Sequence, residues 1–161
     1  MKRLFLLFIL VLATGCNNFF ERPPLNPDQF RDVFLNHISA EEIESLDYYY
    51  HGAIGGYQAV ARVKAPTSSL KKILEGAKED KESYYRESFY GGENDKIIKE
   101  LVMKTVKNIC DGKIPLWMDF SELGRIKIYK KEYTENYSQS YHWTYFYDED
   151  RGIIYFIGMG E

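Results

Sequence analysis

Cysteine is nearly absent. Cys16 and Cys110 are the only two in 161 residues, too few for a disulfide-rich scaffold. Glycine and proline are sparse, at 12 and 5, while aromatics reach 16%; this excludes collagen-like, low-complexity and wholly disordered chains. There is no basic excess. The 21 Lys and Arg stand against 24 Asp and Glu, a formal charge of −3, so the phosphate affinity of a nucleic-acid binder has no source and no nucleic-acid partner is expected. No G-x-S-x-G, P-loop, H-E-x-x-H or G-x-G-x-x-G occurs, and Gly52-Ala53-Ile54-Gly55-Gly56 lacks the lysine and strand-to-helix setting of a phosphate cradle.

The features that are present begin at the N-terminus. Met1-Lys2-Arg3 is a short basic region and Leu4 to Leu12 an unbroken apolar run, shorter than the roughly 20 residues a bilayer span requires and matched to the core of a secretory signal. Ala13-Thr14-Gly15-Cys16 comes next. The segment resembles the lipobox of bacterial lipoproteins, with Ala13 where Leu is usual. There a small residue precedes the scissile bond, and only a thiol can carry the thioether-linked diacylglycerol. The resemblance implies a signal peptide over residues 1–15, cleavage after Gly15, lipidation (acylation of the palmitate kind) at Cys16, and a membrane partner reached through the N-terminal lipid. Asn17, where inner-membrane lipoproteins of enterobacteria carry Asp, implies the outer membrane with the domain facing the periplasm, where the source has two membranes. Removing Lys2 and Arg3 with the signal shifts the formal charge from −3 to −5, which serves solubility.

Residues 16–27, with Pro23, Pro24 and Pro27, read as lipidated Cys and tether, and 28–161 as a single globular domain, since one core suits this length. Asn26 caps a helix starting at Pro27, with Gln29 at the capping-box position and Phe30, Val33 and Phe34 on one face. Ser39 and Glu42 form a second capping box, with Ile38 and Ile43 as its staple, predicting a helix from Ala40 to about Leu46. Tyr57 to Lys64 alternates as a strand, bent or bulged at Gly55-Gly56. Thr67 caps a helix carrying Leu70, Ile73, Leu74 and Ala77; residues 77–92 read as a loop or frayed helix. The strongest helix runs from about Asn94 to Asp111, with Ile97, Ile98, Leu101, Val102, Thr105, Val106 and Ile109 on one face and Gly112 as its stop. Three strands complete the chain, Arg125 to Tyr133, Tyr141 to Tyr147 and Ile153 to Met159, the last two joined by a turn at Asp148 to Gly152. The expected class is α+β, an antiparallel sheet of about four strands with the helices packed on one face and the other face wet.

Chemistry-bearing residues are few. Cys110 continues the four-residue spacing of Val102 and Val106, which reads as a small core residue rather than a nucleophile. His37, His51 and His142 lack metal-ligand spacing, so no metal or other cofactor is expected. Asp148-Glu149-Asp150 lacks the alternating oxygens of a calcium loop and reads as a solvated turn. The 14 tyrosines stand out. Tyr141, Trp143, Tyr145 and Tyr147 alternate along one strand, which builds either a cross-strand ladder or a binding face. Two function classes emerge. One is a non-enzymatic binding or interaction module with an envelope protein or glycan partner; a specific form is an immunity or inhibitor lipoprotein against a secreted toxin or hydrolase. The other is a small envelope hydrolase using His51 or His142 with Cys110 or an Asp.

Overall fold

A computed structural model describes residues 21–22, 24–53, 55–80, 95–118, 126–135 and 139–160. The signal, Gly15 and Cys16, the segment 81–94, and Arg125 lie outside these residues, as do the side chains of Ile97, Ile98 and Leu101. The architecture is α+β. Strands β1 (Glu21–Arg22), β2 (Ser45–Ala53), β3 (Gly56–Lys64), β4 (Lys78–Glu79), β5 (Ile126–Glu135), β6 (Gln139–Asp148) and β7 (Ile153–Gly160) form one sheet, with helices α1 (Pro27–Phe34), α2 (Thr67–Ile73) and α3 (Asp95–Ile109). Strand order is β1-β2-β3-β7-β6-β5-β4, and every pairing is antiparallel.

The sheet exceeds the expected four strands. Two additions, β1 and β4, are two-residue pieces that sequence patterning cannot register. The third, β2, starts at Ser45, inside the predicted helix from Ala40 to about Leu46, which is cut short to its first turn. The capping box forms, Ser39 N–H donating to Glu42 Oε2 at 3.3 Å, yet it closes only a 3₁₀ turn over Ala40–Glu42. The Glu42 carboxylate is shared with Lys72 Nζ at 2.5 Å, and from Ser45 the chain pairs with β3 across nine residues. Nine paired residues outweigh one favourable helix start. The glycines then make the β2–β3 turn rather than a bulge: Ala53 pairs with Gly56, and Gly55 adopts φ +103°, a conformation side chains disfavour.

The helices do not share one face. Phe30 and Phe34 of α1 with Leu70 and Ile73 of α2 pack on Ala59, Ala61, Val63, Tyr145, Tyr147, Ile154 and Phe156. Val102, Val106 and Ile109 of α3, with Cys110, pack on Val60, Ile126, Ile128, Phe146, Tyr155 and Ile157. These are alternate residues of the same strands, so the central sheet is covered on both sides, and β7, buried at every position from Ile153 to Gly158, shows it most plainly. Val33, placed by sequence on the packed stripe of α1, is 48% exposed; Phe30 and Phe34, four residues apart, carry the contact alone.

The N-terminal capping box of α1 is reciprocal: Asn26 Oδ1 accepts from Gln29 N–H at 2.9 Å and Asn26 N–H donates to Gln29 Oε1 at 3.0 Å. Beyond its C-terminus, Asn36 adopts φ +51° and its Nδ2 donates to the carbonyls of Lys72 and Ile73 at 2.9 Å and of Glu75 at 3.2 Å. Those carbonyls lie in and just after the last turn of α2, where few backbone partners remain; the Lys72 carbonyl also accepts from Glu75 N–H at 3.1 Å. Oδ1 of the same side chain accepts from Lys131 Nζ of β5 at 3.2 Å. Asn36 therefore ties α1, α2 and β5 together. Asn36→Ala is expected to destabilise the domain by about 2 kcal/mol, and Asn36→Gly by less, because glycine keeps the left-handed backbone at no steric cost. Equal denaturation midpoints for wild type and Asn36→Ala would contradict this assignment.

Candidate functional site

The four aromatics singled out on β6 do share one face, the one beneath α1. Tyr145 and Tyr147 are 0% and 3% exposed, so they are core. Tyr141 and Trp143 are half-buried, nearer the end of the sheet that carries the β2–β3 turn. Sequence reading missed their companions Tyr50 and Tyr57, which sit on the same face. The register sets one row as Gly52, Tyr57, Gly160, Tyr141 and the next as Tyr50, Ala59, Gly158, Trp143. Large and small residues alternate along the first row, and in the second the small pair Ala59 and Gly158 separates Tyr50 from Trp143, which leaves room for the rings to lie across glycines. A Cβ on Gly160 would meet Tyr57 at 2.5 Å and Tyr141 at 2.6 Å, and one on Gly52 would meet the ring of Tyr50.

The rings are ordered against each other. Tyr57 stacks on Tyr50 at 6.1 Å and on Tyr141 at 5.8 Å between centroids, with interplanar angles near 20° (21° and 22°). Phe34 of α1 forms the floor, 5.2 Å from Tyr57, 5.6 Å from Trp143 and 6.1 Å from Tyr50. Trp143 Nε1–H donates to the Tyr57 hydroxyl, and the Lys131 ammonium lies 5.2 Å from the Trp143 ring centroid, within cation–π range. Burial pushes the Tyr57 hydroxyl up to about 12, opposed by the bond from Trp143 and reinforced by Tyr141 and Tyr50. It is a neutral donor at any physiological pH. Around the tip of the same two strands runs an open groove of about 420 Å³, lined by His51, Gly55, Gly56, Tyr57, Gln58, Met159 and Gly160. Tyr57 and Gly160 belong to both features.

The reactive candidates are dispersed. His51 and His142 fall in one exposed row on the opposite face, separated by Gln58 of β3 and Met159 of β7, and His142 Nδ1 faces Glu132 at 3.7 Å. His37 lies beyond the end of α1 at φ +56°, beside Asp32. Among the described residues, no group of three or more His, Cys, Asp and Glu side chains could hold a metal. Asp148 is buried, and its Oδ1 accepts from Arg151 N–H at 3.1 Å; with Gly152 at φ +64° it builds the β6–β7 turn. Cys110 is 5% exposed beneath α3, and burial, with a smaller contribution from the Asp111 charge, pushes its thiol from 9.0 up to about 11. A nucleophile needs the thiolate, so this environment opposes the role.

The Cys110 thiol has a stability consequence. The fold favours its neutral form, so the full contribution is present below the unfolded value of 9.0 and is lost as pH rises through about 11. Tyr57 and Tyr145, both raised mainly by burial, add to the loss at higher pH. Melting temperature is expected to fall steeply above about pH 9, with Cys110 alone responsible for about 2 kcal/mol. In Cys110→Ala the fall should begin about one unit later; an unchanged profile would contradict the assignment.

Comparison with protein-family models, with curated proteins and with solved structures gives no match.

Proposed function

We propose that this chain is a lipid-anchored envelope lipoprotein whose domain is a non-enzymatic binding module, with the aromatic end of the sheet as its recognition surface. The anchor rests on Met1-Lys2-Arg3, the Leu4 to Leu12 run and Gly15-Cys16. The observation that carries the binding role is the ordered set Tyr50, Tyr57, Tyr141 and Trp143, partly buried rings held on an apolar floor beside an open groove. Tyr and Trp side chains give large contact area with a polar handle at small entropic cost, and they dominate recognition hot spots. Pre-stacking and the Trp143–Tyr57 bond fix the rings before a partner arrives, which lowers the ordering cost of association. The partner is an envelope protein or a glycan; inhibition of a secreted hydrolase or toxin at the membrane is one form of this role.

The test is partner retention. Trp143→Ala and Tyr141→Ala, each verified as folded, are expected to weaken a partner captured from envelope extract by about 2 kcal/mol or more. Val33→Ser, on an exposed part of α1, should leave binding unchanged. A folded Trp143→Ala/Tyr141→Ala chain that keeps full affinity would refute the surface.

A further inference from the structure

We propose that the tip following α3 inserts into the bilayer interface, so that the domain sits on anionic lipid by a second contact besides its N-terminal lipid. Cys110 and Met118 are buried at 5% and 1%, yet between them Leu116 is 99% exposed and Ile114 41% exposed, with Trp117 half-buried. The loop is not loose. Gly112 N–H donates to the Lys107 carbonyl at 2.8 Å, Lys113 N–H to the Cys110 carbonyl at 3.0 Å, and Met118 N–H to the Pro115 carbonyl at 2.9 Å. That last bond closes a turn with Leu116 and Trp117 at its corners. Presenting a Leu wholly to water from a pinned turn gains nothing for folding. Trp117 packs back against the core on the α3 side, while Leu116 and Ile114 stay exposed beside it, an aliphatic tip of the kind that enters a bilayer interface.

Charge points to the same surface. From Lys104 to Met118 the exposed charged residues are Lys104, Lys107, Lys113 and Asp111. The Asp111 carboxylate accepts from the Tyr49 hydroxyl and keeps its charge, so three lysines against one aspartate leave this stretch with a net charge of +2 to meet anionic headgroups. The inference rests on the lipid-anchor reading, which brings the domain to a membrane, while the exposed tip stands independently.

The experiment uses the full chain carrying Leu116→Cys, extracted in detergent, labelled with an environment-sensitive fluorophore and reconstituted into phosphatidylglycerol–phosphatidylcholine vesicles. Buried Cys110 reacts slowly, and the mass of the product counts the labels. The label at residue 116 is expected to shift to the blue and brighten at least about twofold, and to be quenched by brominated acyl chains. The same label at Val33→Cys should keep the emission it shows in water. A label at residue 116 that stays in water while the protein floats with the vesicles overturns the proposal, as do equal changes at residues 33 and 116. The mass of the N-terminal peptide separates the two readings. Acylated Cys16 cannot take the fluorophore, so a single label with residue 116 in water refutes the tip alone; a second label on unmodified Cys16 refutes the anchor, and Cys16→Ser/Leu116→Cys then reads the tip by itself.

Discussion

Phe34→Ala is expected to lower stability by about 3–5 kcal/mol, the cost of truncating a buried aromatic whose neighbours cannot collapse into the space. Phe34 is 1% exposed and touches five rings: Phe30 at 4.7 Å, Phe156 at 5.4 Å, Tyr57 at 5.2 Å, Trp143 at 5.6 Å and Tyr50 at 6.1 Å. Three of the five are the rings of the proposed recognition surface, so the substitution has a second effect. Without the floor, Tyr50, Tyr57 and Trp143 lose a fixed arrangement, and a partner should bind more weakly than the loss of folded protein accounts for. Phe34→Leu fills most of the volume and should restore stability to within about 1.5 kcal/mol of wild type, while binding recovers only in part because the ring–ring geometry is gone. Val33→Ala, one residue away but 48% exposed, is expected to stay within about 0.5 kcal/mol. Similar midpoints for Phe34→Ala and Val33→Ala in chemical denaturation would contradict the packing described.

Local signals in the sequence translate well into structure where one short-range rule decides the outcome. Asn26 with Gln29 announces the start of α1, and Asp148 with Gly152 announces the β6–β7 turn, because each is closed by bonds within three or four residues. The Ser39–Glu42 box shows the limit. It forms, but the residues after it take their conformation from pairing with β3, whose partner residues lie up to nineteen positions away. β2 is hidden for a further reason. Tyr48, Tyr49 and Tyr50 place similar side chains on both faces, so no apolar–polar alternation marks the strand. Tyr48 donates to the Leu25 carbonyl at 2.8 Å on one face, and Tyr49 donates to Asp111 on the other. Cys110 is legible as core from its spacing with Val102 and Val106.

The aromatic site is half legible. Alternation puts Tyr141, Trp143, Tyr145 and Tyr147 on one face, but it cannot say where along the strand a covering helix stops. That boundary is set by α1, eight residues long, whose Phe34 meets Trp143. Tyr145 and Tyr147 lie in the core with Phe30 and Phe34, and Tyr141 and Trp143 sit at its margin. Tyr50 and Tyr57 join them only through the register of three strand pairings, information that exists in the folded sheet and in no single segment. The coverage of both faces has a similar origin: the apolar stripes of α1 and α3 are each legible, but which side of the sheet either occupies depends on the connections between them.

The proposed anchor, and with it the envelope location, depends on the thiol of Cys16. Growth with labelled fatty acid, followed by mass measurement of the N-terminal peptide, tests it in the native chain and in Cys16→Ala. The native chain is expected to incorporate label, to lose residues 1–15 and to begin at a diacylglyceryl-modified Cys16. Cys16→Ala is expected to show no label and to accumulate as uncleaved precursor, because cleavage after Gly15 comes after modification of the thiol in the lipoproteins that the segment resembles. Label persisting in Cys16→Ala, or a native chain that is unlabelled and retains Met1, would contradict the account.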